Sequence, residues 1–274
     1  MKNPQAKKHL GQNFLNNKGV IEKIAARIYA LSDQGKRPVL ELASGPGALT
    51  RALLDKGLNL LCVEIDPDCI GSFHSRFQKE LDEGRVKLIQ ADALKHPLED
   101  FFGESETPAD WVVCGNLPYY IGTALLFRFL RHSKSGARFS FMLQKELVDR
   151  LLAAPGKKDY GLSSIRQAWL ALAERDFVVA AGSFTPAPKV DSAVLSLERS
   201  AKKSYQFGDS TEQKVLYDEA VNFVGSFFKQ RRKMLRTLWK EVPLDFSTRR
   251  PDSIDPSEWY DLWLENSRQR KALN

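Results

Sequence analysis

Short apolar runs alternate with stretches of helical composition along most of the chain: residues 39–42, 60–65, 86–89, 111–114 and 139–143 each lead into a segment of helical character. Parallel strands need crossovers, and helices usually supply them, so this alternation predicts a parallel sheet with helices on both faces. Runs as continuously apolar as Leu60-Leu61-Cys62-Val63 suit strands covered on both sides. Ahead of the first strand, Val20, Ile21, Ile24, Ala25 and Ile28 recur at helical spacing behind a polar arm, residues 1–17. Residues 177–181 and 194–197 predict two more strands around the loop Phe184-Thr185-Pro186-Ala187-Pro188. The pattern changes near Arg199. From Ser210 onward Val215, Ala220, Phe223, Val224, Phe227 and Phe228 follow a helical rhythm, then come a basic stretch and a further helical segment at 258–264. The expected organisation is an α/β domain over residues 1–200 and a small all-helical domain over residues 201–274, joined through the polar linker 200–204.

Directly after the first strand stands Glu41-Leu42-Ala43-Ser44-Gly45-Pro46-Gly47-Ala48-Leu49-Thr50, with two glycines that let a ligand approach the backbone and a helix beyond them. The next strand ends in Glu64, twenty-one residues after Ala43, about the separation at which an acidic side chain receives ribose hydroxyls in a Rossmann-like unit. Asp92 closes the third run, where its carboxylate can accept an adenine amino group. Open α/β sheets bind ligands at the carboxyl ends of their strands, so Gly45, Gly47, Glu64, Asp92 and Asn116 are expected to converge on one crevice. Two cofactors fit this outline. A nicotinamide dinucleotide would use a GxGxxG loop, but Thr50 stands in place of the third glycine; S-adenosylmethionine has a ribose and an adenine and no pyrophosphate to cradle.

After the run 111–114 comes Asn116-Leu117-Pro118-Tyr119, which joins an amide, a rigid turn and an aromatic face. An exocyclic amine is a poor nucleophile while its lone pair is delocalised into the ring. The Asn116 side-chain oxygen and the Leu117 carbonyl are two acceptors for its protons, Pro118 fixes φ between them and the next residue, and Tyr119 offers a face for an extruded base. Taken alone, the tetrapeptide reads first as a strand ending in an Asn/Pro turn, and only its neighbours favour the chemical reading.

Composition adds a partner. Lysine and arginine number 41 against 34 aspartates and glutamates, a net charge of +7, which favours a polyanion. Five of those cations fall within Lys229-Gln230-Arg231-Arg232-Lys233-Met234-Leu235-Arg236, and Lys2, Lys7 and Lys8 stand at the other end. Such a stretch either tracks phosphates or forms a solvated helix face. Cys62, Cys69 and Cys114 form no CxxC pair, and the four histidines have no ligand spacing around them, so neither a disulfide framework nor a metal site is expected. No run approaches a membrane span, and the polar start lacks the apolar stretch of a signal peptide. The expectation is a soluble, cytoplasmic protein.

In its motifs the chain resembles the KsgA/RsmA small-subunit rRNA adenine dimethyltransferases, whose relatives include the eukaryotic Dim-type enzymes and the Erm resistance methylases. The resemblance rests on Leu10-Gly11-Gln12-Asn13-Phe14-Leu15, the glycine loop, Glu64, Asp92-Ala93-Leu94, Asn116-Leu117-Pro118-Tyr119, Gln144-Lys145-Glu146, the run from Phe184 to Val194, and Gln230-Arg231-Arg232-Lys233. It implies a Rossmann-like S-adenosylmethionine-dependent methyltransferase with a helical C-terminal RNA-binding domain, acting as a monomer on rRNA of an assembling small subunit and dimethylating the N6 amines of two adjacent adenines. It further implies that Asn13 and Leu15 close over the cofactor, that Ala43, Gly45 and Gly47 line its methionine side, and that Glu64 holds the ribose. Asp92 and Ala93 would hold the adenine, and Asn116 would touch both cofactor and target. Leu117, Pro118, Tyr119 and Phe184 would frame the target adenine, and Lys229, Arg231, Arg232, Lys233 and Arg236 would meet RNA. Where the family loop has Gly and Pro, Ala43 and Ser44 stand here, and Tyr120 and Gly122 replace a common Asn and Ser. An Erm-like activity on large-subunit rRNA, a non-catalytic assembly factor and a nicotinamide oxidoreductase are the competing expectations.

Overall fold

The computed structural model describes residues 4–102, 110–200, 205, 207 and 210–273, with side chains described up to residue 269. Lys2 and linker residues 201–204 lie outside that set. In chain order the elements are β1 (Phe14–Leu15), α1 (Lys18–Leu31), β2 (Val39–Leu42), α2 (Ala48–Asp55), β3 (Leu60–Glu64), α3 (Pro67–Asp82), β4 (Val86–Gln90) and α4 (Glu99–Phe102). Then come β5 (Val112–Asn116), α5 (Gly122–His132), β6 (Arg138–Gln144), α6 (Lys145–Leu151), α7 (Leu162–Leu170), β7 (Ala171–Val179), β8 (Phe184–Thr185) and β9 (Ser192–Arg199). The helices α8 (Thr211–Phe228), α9 (Leu235–Leu238) and α10 (Pro256–Leu273) follow.

Seven strands form one sheet in the order β4-β3-β2-β5-β6-β9-β7. β2, β3, β4, β5 and β6 pair in parallel, as the alternation predicts, but β9 runs antiparallel to β6, with Arg138 opposite Glu198 and Gln144 opposite Ser192. The complete sheet is therefore mixed. β9 follows β7 through residues 180–191, which hold no crossover helix, and a strand that returns without one enters the sheet the other way round. β7 begins at Ala171, six residues before the predicted run. It lies at the sheet edge with only its ends buried, so its apolar signal is weak.

The chain forms two compact units, one of Met1–Val148 with Glu174–Arg199, the other of Asp149–Ala173 with Ser200–Asn274. The second unit takes residues 149–173 as well as the chain from Ser200 onward, because α7 packs on α8 and α10. The buried Trp169 of α7 donates its indole N–H to the Pro256 carbonyl, 2.7 Å away. Within the first unit, Ile24, Ala25 and Ile28 of α1 share a core with Leu53 of α2, Phe73 and Phe77 of α3, and Val39 and Cys62 of the sheet. In the second, Phe223 and Phe227 of α8 stack about Trp239 and Trp259, while Val215 points to solvent.

Candidate active site

β2 and β5 are neighbours in the sheet but not in sequence, and from them the strand order runs outward in opposite directions. Such a switch point leaves a crevice outside the carboxyl ends of the strands. A cavity of about 340 Å³ lies there, lined by arm residues 10–15, loop residues 43–46, Glu64, residues 91–95 and residues 115–121. Asn13, Leu15, Ala43, Gly45, Glu64, Asp92, Ala93, Asn116, Leu117, Pro118 and Tyr119 all stand in its wall. Gly47 and Phe184 do not. Gly47, at φ 86°, caps α2, and a Cβ there would sit 2.2 Å from the Phe77 ring, so it serves packing of the helix start rather than the wall. Phe184 is buried and pairs with Leu15 across the short ladder of β1 and β8, so it anchors the arm from behind.

The loop and the acidic residues are tied together. Glu64 is buried; its Oε2 accepts the Gly45 N–H at 2.7 Å and its Oε1 the N–H groups of Ile65 and Asp66 at 2.8 and 2.9 Å. Burial pushes its pKa above the usual carboxylate value, partly offset by those three hydrogen bonds. A carboxylate offers about four acceptor sites, so one is left for a ligand hydroxyl. Asp92 uses Oδ1 to accept the Leu94 N–H at 2.9 Å, which folds the loop around Ala93. Behind that loop, Arg128 of α5 donates to the carbonyls of Leu94 and His96, both at 2.6 Å. Ala43 takes φ 52°, a left-handed conformation that disfavours side chains, and Ser44 Oγ is buried without a partner among the described residues.

Asn116 ends β5. Its Nδ2 donates to the Asn13 carbonyl at 3.0 Å, which fixes the amide orientation; its Oδ1 has no hydrogen-bond partner among the described residues. Gly115, just before it, lets the two central strands close up, because a Cβ there would meet the Leu42 carbonyl oxygen at 2.3 Å. Leu117 donates its N–H to Met142 at 3.2 Å, and the half-buried Tyr119 shares a 2.6 Å hydrogen bond with Ser192 Oγ. Burial, partly offset by that bond, raises the Tyr119 pKa, so the phenol stays neutral.

Some of the site was not foreseen. Leu10, Gln12, Phe14, Glu41, Tyr120 and Met142 also line the cavity. Gln12 donates to Asp66 at 2.7 Å, and Lys7 pairs with Asp66 and Asp68 at 2.5 and 2.7 Å, which latches the arm to the start of α3. Burial lifts the Asp66 carboxyl, but the hydrogen bonds from Lys7 and Gln12 outweigh it and hold its pKa below the ordinary value; Lys7 is correspondingly raised. The sequence signal was present only on one side: Asp66-Pro67 reads as a helix start, whereas nothing near Lys7 names its partner. Among the described residues no cluster of three or more His, Cys, Asp or Glu side chains could hold a metal ion.

In the second unit Lys229, Arg232, Lys233 and Arg236 are exposed in the turn after α8 and at the start of α9, not along a helix face. Arg231 is different. It donates to the Lys158 carbonyl at 3.0 Å and lies 3.8 Å from Asp252, so part of its capacity is spent inside the unit.

Residues 3–244 match the family model described as Ribosomal RNA adenine dimethylase. The chain is 40% identical over 238 residues to the Ribosomal RNA small subunit methyltransferase A of Pseudomonas aeruginosa, an alignment covering 87% of this chain and 83% of the relative. It also superposes on the crystal structure of a dimethyladenosine transferase from Plasmodium falciparum, with TM-score 0.71 and 26% identity, covering 94% of this chain and 98% of the other. The 23S rRNA methyltransferase ErmE has the same fold, with TM-score 0.63 at 21% identity and coverage of 92% and 98%.

Proposed function

Because the chain belongs to the ribosomal RNA adenine dimethylase family, we propose that it moves methyl groups from S-adenosylmethionine to the N6 amines of two adjacent adenines near the 3′ end of small-subunit rRNA, in a subunit assembling in the cytoplasm. The observation that carries this reading is the free Oδ1 of Asn116 in the wall of a cavity whose other residues suit a nucleoside.

The residues present fit the cofactor. Glu64 keeps one acceptor site for a ribose hydroxyl, Asp92 and Ala93 sit in a pinned turn for the adenine, and the unpartnered Ser44 hydroxyl stands beside Gly45 for the polar methionine end. Asn13, Leu15 and Ala43 complete that wall, closed by the Lys7 and Gln12 latch. When bound, S-adenosylmethionine supplies an electrophilic methyl on a sulfonium centre. Asn116 Oδ1 and the Leu117 carbonyl accept the two protons of the target amine and localise its lone pair, which conjugation otherwise withdraws. The Tyr119 ring, held by Ser192, gives the extruded base a stacking face and fixes the line of attack. Once methylated the nitrogen is cationic and loses its proton readily, so no general base is required.

An adenine amine is buried by base pairing, so the target is single-stranded or extruded, and the surrounding RNA is held mostly by its phosphates. Lys229, Arg232, Lys233 and Arg236 are the cations we assign to that contact, with Arg231 supporting their turn.

The test is transfer of labelled methyl from S-adenosylmethionine to small subunits lacking adenine dimethylation, with large subunits in parallel and nucleoside analysis. Dimethyladenosine in the small subunit alone is expected. Label confined to the large subunit would transfer the assignment to an Erm-like activity, and none in either would leave an assembly factor.

A further inference from the structure

Two large apolar side chains are both in the cavity wall and strongly exposed: Ile65, 46% accessible, and Tyr120, 63% accessible. Ile65 follows Glu64 and so belongs to the ribose end. Tyr120 follows Tyr119 and stands at the end where the target base enters. Its ring lies along the backbone of Gly11: a Cβ on Gly11 would be 3.0 Å from Tyr120 Cδ1 and 3.4 Å from Cε1. The arm therefore braces one part of the ring and leaves the rest to solvent. Tyr119 is unsuited to a second base, because it is half-buried and its hydroxyl is held by Ser192.

An exposed aromatic at the mouth of a cavity that admits a base is the means by which single-stranded nucleic acid is commonly held, since every base has a π face. We propose that Tyr120 is a second stacking surface, which takes the nucleotide beside the target adenine on the same RNA strand while the target occupies the cavity. The inference rests on rRNA adenine being the substrate. It adds a contact that fixes the flanking base, and through it the depth to which the strand enters. Gly11 in turn keeps the ring in place: any larger residue there would displace it.

Tyr120→Ala and Tyr120→Leu are compared with Tyr120→Phe on small subunits lacking adenine dimethylation, measuring kcat, KM for the subunit and, by calorimetry, affinity for S-adenosylmethionine. Loss of one stacked base raises KM for the subunit roughly ten-fold in the Ala and Leu variants, with cofactor affinity unchanged, and the ring restored in the Phe variant recovers the wild-type KM. Leucine fills the space beside Gly11 without a π face, so a wild-type KM in Tyr120→Leu would overturn the proposal. So would a rise in KM matched by an equal loss of cofactor affinity, which would make Tyr120 a brace for the arm alone. Failure of the underlying function is distinguishable, because then the wild-type chain itself would label no small subunit.

Discussion

At Asn116 the amide nitrogen donates to the Asn13 carbonyl, and the oxygen, without a partner among the described residues, is the acceptor we assign to the target amine. Removing it takes away an acceptor for the reacting amine and a tie to the arm. Asn116→Ala is expected to lower the methyl-transfer rate about 100-fold or more, the size of effect seen when one preorganised hydrogen-bonding group is lost at a reacting centre, while weakening cofactor binding only a few-fold. Turnover near wild type would remove Asn116 from the mechanism. Ala43 shows the opposite condition. At φ 52° its methyl group is held in a left-handed conformation, where glycine would be unstrained. Ala43→Gly should therefore raise stability by on the order of 1 kcal/mol in urea unfolding, and an equal or lower midpoint would mean the loop relaxes around the methyl.

Between elements, the site depends on contacts that carry no chemistry of their own. α5 supplies Arg128, whose guanidinium spans the Leu94 and His96 carbonyls and so fixes the loop presenting Asp92 and Ala93. Replacing Arg128 by Ala leaves two carbonyls without those donors and frees the loop, so affinity for S-adenosylmethionine should fall roughly ten-fold by calorimetry. Wild-type affinity in that variant would show that the turn closed by Asp92 and Leu94 is sufficient by itself. The arm is held in the same manner, by Lys7 and Gln12 on Asp66 and by the pairing of Leu15 with Phe184. Residues in the cavity wall are positioned by residues outside it, such as Arg128, Asp66 and Phe184.

At the scale of the whole chain, stability and RNA binding each have an electrostatic signature. Glu41, buried in β2 and bonded by Thr50 Oγ1 at 2.7 Å, has its pKa pushed up to about 7 by burial, partly offset by that hydrogen bond. Its ordinary value is 4.5, so between the two the folded chain binds the extra proton. The sign follows: this contribution is fully present below about pH 4.5 and is lost as pH rises through about 7, on the order of 3 kcal/mol in all. Urea titrations of the wild type and Glu41→Gln near pH 5 and near pH 8 test it, since the glutamine variant should gain on the wild type as pH rises. A constant difference between them would mean that Glu41 stays ionised. For RNA, each phosphate neutralised steepens the salt dependence by about one. Arg232→Ala with Lys233→Ala should make the slope of log affinity against log salt shallower by about two, and an unchanged slope would mean these cations face only solvent.

The amino-acid sequence by itself determined the parallel strands β2 to β6, the crevice at their carboxyl ends and the presence of Glu64, Asp92 and Asn116 in its wall, because those depend on local apolar runs and on residues fixed to strand ends. It did not determine the direction of β9, the full extent of the edge strand β7, or the allegiance of residues 149–173 to the second unit. Pairing direction and edge position arise between segments far apart in the chain, and no local pattern encodes them. The same is true of Gly47 and Phe184, which stand behind the wall rather than in it, and of Lys7, whose partners lie some sixty residues away. Which polar residues stand in the crevice wall was legible from their types and spacing. Which residues hold them in place was decided by tertiary packing, because a brace is recognised only by what it touches.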